Sequence, residues 1–82
     1  MIIEVKINNN MLIGKLDAGS YELLQGATVS ELLDEMQQRS GYAMSQEERG
    51  SLVFLLDNQH ASPESELHDG AMLRILHKVL GG

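Results

Sequence analysis

Apolar and polar positions alternate at the start of the chain. In Ile2-Ile3-Glu4-Val5-Lys6-Ile7, residues Ile3, Val5 and Ile7 fall on one face and Glu4 and Lys6 on the other. That period of two predicts a half-buried strand. Asn8-Asn9-Asn10 reads as a turn, because asparagine tolerates left-handed backbone. Residues 11–20 carry no clean period, and Asp17-Ala18-Gly19-Ser20 reads as loop. Tyr21-Glu22-Leu23-Leu24 is expected as a second strand, closed by Gln25-Gly26. The period then changes. Val29, Leu32, Leu33 and Met36 stand at i, i+3, i+4 and i+7, one stripe of an amphipathic helix. Thr28 and Glu31 fit a capping box at its start, and Gly41 fits a stop at its end. Residues 42–50 suit either a short helix or a loop.

Leu52-Val53-Phe54-Leu55-Leu56 is short and apolar on both faces, which predicts a strand with little exposure. Asp57-Asn58-Gln59-His60 turns the chain. Pro63 makes the polar stretch 62–66 a connection rather than an interior strand. Leu67-His68-Asp69-Gly70 is a tight turn, and a last strand runs from Met72 to about Val79. An apolar helix stripe and an apolar sheet face must cover each other. The expected fold is therefore a two-layer α+β domain with a sheet of four to five strands on one main helix. The first two strands are joined too briefly for a crossover and should pair antiparallel. Strand parity then sorts the last two strands. Leu52, Phe54 and Leu56 with Leu73, Ile75, His77 and Val79 should face the helix. Val53 and Leu55 with Met72, Arg74, Leu76 and Lys78 should face outward, where an apolar patch would mark a partner interface; the alternative is that Val53 and Leu55 fill a core covered on both faces.

Composition narrows the chemistry. The 82 residues make one small domain, 1–82, with a modest core. The absence of cysteine removes disulfides, cysteine-held metals and a thiol nucleophile. No 18-residue apolar run predicts a membrane span, and no basic segment precedes an apolar one as in a signal peptide. The cytoplasm is the expected compartment. Twelve acids against six bases give a formal charge of −6. The few scattered cations argue against nucleic acid, and the acidic whole would either steer the domain toward a basic protein partner or simply keep it soluble. His60, His68 and His77 lie at unrelated spacings in or near turns and suggest no metal site. The serines lie in no nucleophile motif, and Asp34-Glu35 and Glu47-Glu48 read as solvated charge. No catalytic constellation belongs to the chain itself, and no bound cofactor is expected.

The remaining candidate is the chain end, Gly81-Gly82. Glycine lets a backbone lie in a channel too narrow for other residues. Val79, Leu80, Gly81 and Gly82 can extend about 13 Å at ~3.3 Å each, as a flexible tail reaching another protein's active site. An ordinary frayed terminus is the plain alternative. A carboxylate is a poor electrophile; adenylation gives it a leaving group that a sulfur donor can displace. Both steps need groups aimed at developing charge, which a partner enzyme must supply.

Three features together resemble the ubiquitin-like sulfur carriers of the MoaD/ThiS family. They are Gly26-Ala27-Thr28-Val29-Ser30-Glu31-Leu32-Leu33 at the helix start, Leu67-His68-Asp69-Gly70 before the last strand, and the Gly81-Gly82 end. The resemblance implies a β-grasp fold with first and last strands side by side. It implies that Gly82 is adenylated and thiocarboxylated by an E1-like enzyme using ATP, with Gly81, Leu80 and Val79 as spacer. The loaded tail would then donate sulfur within a second partner, a sulfur-accepting synthase subunit. Length and the 40–51 segment fit the molybdopterin type. His77-Lys78 stand where that type often carries prolines, and His77-x-Val79 is similar to thiamine-thiazole carriers. A protein modifier, which would use the same activated tail on lysines, and a non-covalent β-grasp binding module are the alternatives.

Overall fold

The computed structural model describes residues 1–78. The strands are β1 (Ile2–Asn8), β2 (Gly19–Glu22), β3 (Leu52–Leu56), β4 (Gln59–Ala61) and β5 (Met72–His77). The helices are α1 (Val29–Ser40) and α2 (Gln46–Gly50). The sheet order is β2-β1-β5-β3-β4. β1 and β5 pair in parallel at the centre, and every other pair is antiparallel. This is the two-layer α+β, β-grasp arrangement expected from the sequence.

The helix forms where its stripe and caps predict. Thr28 Oγ1 accepts the Glu31 N–H at 3.3 Å, and the Glu31 carboxylate accepts the Thr28 N–H at 3.2 Å. Gly41 ends the helix at φ 69°, a left-handed conformation that costs glycine little. Val29, Leu32, Leu33 and Met36 are all buried against Ile3, Val5, Tyr21, Phe54, Leu73 and Ile75 of the sheet. Residues 9–16, which begin in the expected asparagine turn and then carry no clean period, form a turn-rich segment that drives Leu12 and Leu16 into the same core.

Several expected bounds shift. Asn8, expected in the first turn, is the last residue of β1. The second strand is Gly19–Glu22, not residues 21–24, so Gly19 and Ser20 leave the expected loop. Register explains the shift: Val5 lies opposite Gly19 and Ile2 opposite Glu22. Leu23 then exchanges bonds with Met1, and no β1 residue lies opposite Leu24, which is 87% exposed. The expected turn 57–60 is tighter than four residues. Asp57 and Asn58, at φ 50° and 68°, make a two-residue hairpin loop, and Gln59 and His60 enter β4. Residues 46–50 resolve as a helix, because Ser45 and Glu48 form a second capping box. The last strand ends at His77, so Lys78 leaves the expected strand; Val79 and the rest of the expected tail, 79–82, lie outside the described residues.

Candidate functional site

The parallel register of β1 with β5 builds the open face of the sheet. Side chains on paired residues share a face, so the pairings assemble rows across the strands. One row holds Asn8, Leu76 and Val53. The next holds Lys6, Arg74, Leu55 and His60. A third places Glu4 beside Met72. On these strands the inward positions Ile3, Val5, Phe54, Leu73 and Ile75 are buried. Val53, Leu55, Met72, Arg74 and Leu76 are only half-buried, and Lys6 and His60 are exposed. The outward set expected from parity therefore lies on one surface, with Lys78 following β5 as an exposed residue. Leu52 and Leu56 pack against the core, as expected of the inward set. His77, expected inward, stands exposed as the last residue of β5.

Sequence reasoning missed Lys6, Asn8 and His60 on this face. Alternation put Lys6 on an outward side, but only the pairing of strands far apart in sequence places it beside Arg74. His60 was missed because its strand was read as turn.

The start of the tail is held by backbone. The Lys78 N–H donates to the Ser51 carbonyl at 2.8 Å, tying the end of β5 to the end of α2. A groove of about 290 Å³ lies beside it, lined by Glu47, Gly50, Ser51, His77 and Lys78. Val79, Leu80, Gly81 and Gly82, the expected reactive segment, lie outside the described residues.

At the opposite end of the sheet, the turn before β5 acts as a staple. Leu67 is buried and donates its N–H to the Ala27 carbonyl at 2.9 Å. Asp69 accepts the Ile2 N–H at 2.7 Å, and Gly70, at φ 82°, donates to the Ile2 carbonyl. His68 Nε2 meets Asp57 Oδ2 at 2.6 Å. The Met72 N–H and the His68 ring hold the Asp57 carboxyl below its ordinary range. The Asp57 carboxylate, then the Asp69 carbonyl, raise the His68 imidazole above its own. Each of these residues is thereby explained by architecture. Among the described residues, no three His, Cys, Asp or Glu side chains converge as a metal site. Among the same residues, no helix is long and apolar enough to cross a membrane.

The comparisons agree with this geometry. The model of the ThiS family matches residues 14–82. No curated protein matches the chain. Among solved structures, a protein described as molybdopterin converting factor subunit 1 from Pyrococcus furiosus superposes with a TM-score of 0.73 at 21% identity, covering 96% of this chain and 99% of that one. SAMP1 from Haloferax volcanii superposes with a TM-score of 0.72 at 15% identity, both chains fully covered. A chain from the complex of subunits 1 and 2 of molybdopterin-converting factor from Helicobacter pylori gives 0.58 at 22% identity, again with full coverage. These likenesses establish the shared fold.

Proposed function

The chain belongs to the ThiS family, and from that premise we propose that it is a sulfur carrier whose reactive group is the carboxylate of Gly82. The observation that carries this reading is the extent of the family match. It runs from residue 14 to residue 82 and so takes in the Thr28 helix start, the Leu67–Gly70 turn and the diglycine.

The chemistry follows from what the chain lacks and holds. A carboxylate oxygen of Gly82 attacks the α-phosphorus of ATP, and pyrophosphate leaves. A sulfur nucleophile on the donor then adds to the acyl carbon, and AMP leaves with the bonding pair. A second thiol then attacks the donor-side sulfur of the acyl persulfide and forms a disulfide with it, and the thiocarboxylate leaves with the bonding pair. An E1-like enzyme supplies the catalytic groups for these steps; the carrier supplies a rigid body and a thin tail and is not itself the enzyme. A second partner, a synthase subunit, receives the sulfur. The molybdopterin pathway is the first reading, supported by the fold shared with two molybdopterin-converting-factor subunits. Thiamine-thiazole synthesis is the next. The open sheet face, with Val53, Leu55, Met72, Arg74, Leu76 and Lys78, is the docking surface of this proposal.

Intact-mass measurement tests it. The full chain is incubated with ATP, the host's activating enzyme and a sulfur donor. The expected product is heavier by the exchange of one oxygen for sulfur, and deletion of Gly82 abolishes it. An unchanged mass for the wild type overturns the carrier reading. A ladder of lysine conjugates would favour a protein modifier instead.

A further inference from the structure

The six lysines and arginines of this acidic chain are not evenly spread. Lys6 and Arg74 stand directly opposite one another across the central parallel pair, both on the open face. Adjacent strands lie about 4.8 Å apart, and like charges directly opposite destabilise a sheet. The acids nearest by register do not relieve them. Glu4 Oε2 accepts the Ser20 hydroxyl at 2.8 Å, on the side of β1 away from β5. The Asp57 oxygens are taken by His68 and by the Met72 N–H. Among the described residues, neither Lys6 nor Arg74 makes an ion pair. The same row continues through Leu55 to His60. Half-buried Leu76 and Val53 flank it on one side, and Met72 flanks it on the other.

We propose that the Lys6–Arg74 pair seats an aspartate or glutamate side chain of the activating enzyme that takes the tail, presented from an otherwise apolar surface. The inference rests on the carrier reading and gives that partner its chemistry. The charge complementarity is local: the chain as a whole is negative, yet the centre of its docking face is cationic. The Arg74 guanidinium offers the planar fork that matches a carboxylate, and Lys6 adds a second donor. The apolar frame would exclude water once docked, so the pairing strengthens where it forms. Repulsion carried by the free domain is relieved only in the complex. Two cations on a chain of charge −6 are too few to hold a phosphate backbone, which argues against nucleic acid at this spot.

Charge reversal tests the proposal with two independent readouts. Lys6→Glu, Arg74→Glu, Arg74→Lys and the control Lys15→Glu are compared with the wild type. The control makes the same change in net charge away from the face, where Lys15 lies over the Tyr42 ring. ATP-dependent AMP formation with the activating enzyme and a sulfur donor gives KM and kcat for each carrier, and thermal unfolding gives Tm. Either reversal should raise KM about 10- to 100-fold with kcat held, since like charges across an interface repel strongly. Each should also keep or raise Tm, because it turns a like pair into an opposite pair. Arg74→Lys should raise KM by less than reversal, and Lys15→Glu should leave it within about twofold. Reversals that leave KM unchanged, or a control that raises it equally, overturn the inference while the carrier reading stands. A wild type that yields no AMP overturns the carrier reading and the inference with it. A retarded migration with single-stranded RNA that the reversals abolish would replace the carboxylate by a phosphate and likewise overturn the proposal.

Discussion

Asp57 holds three groups at once: its N–H donates to the Met72 carbonyl, its Oδ1 accepts the Met72 N–H, and its Oδ2 meets His68. It does so from a left-handed backbone, φ 50°, in a two-residue hairpin loop that favours Asn, Asp and Gly. The pair has a defined pH window. The lowered Asp57 contributes stability above its unfolded value, about 3.9, and loses it as pH falls through its folded value. The raised His68 contributes fully below its unfolded value, about 6.5, and loses it as pH rises through its folded one. Both groups are solvent-exposed, so the effect is small and screened by salt. The wild type should therefore melt above His68→Ala at about pH 5.5, and that gap should narrow as pH rises through the folded His68 value. A gap that does not change with pH would show that the ion pair contributes nothing. At this scale the sequence was partly legible. Gly70 was recognisable as a turn glycine, but the partnership of Asp57 with His68 was not, because eleven positions separate them and only the hairpin brings them together.

At the scale of elements, α1 shows what a local code can fix. Its cap, stripe and stop lie within residues 28–41, and the structure places all three where the pattern put them. Its stability comes chiefly from the stripe, since a 12-residue helix is marginal alone. Leu32 is fully buried between the helix and the sheet. Leu32→Ala should cost about 2–5 kcal/mol, the range for emptying a packed core site, as read from urea unfolding. A loss under about 1 kcal/mol would mean that the two layers close over the gap. The short elements were less legible. β2 and β4 have four and three residues, too few for a period to declare itself, and their bounds come from the strands they pair with.

Across the whole molecule, the body and the proposed reactive end are separate in sequence. The buried core is assembled from residues between Ile3 and Ile75. In the carrier reading, the tail beyond Lys78 must pass through a channel that admits glycine. Gly81→Leu should leave Tm unchanged and abolish thiocarboxylate formation, as read by intact mass. Full loading of that variant would remove the reason for a glycine spacer. The open face belongs to the same scale. It presents half-buried apolar residues around two cations, and no single strand contains that arrangement.

Period, capping and turn chemistry are local properties, so the chain alone determined the types of its longer elements, the α1 boundaries, the inward and outward sets of β3 and of β5 as far as Leu76, and the diglycine end. Which strands become neighbours is decided by burial of both layers at once. Only that packing set Lys6 beside Arg74, closed the Asp57–His68 bridge, and shifted β2 to Gly19–Glu22. Alternation tells a side chain which face it occupies; the fold tells it what stands next to it.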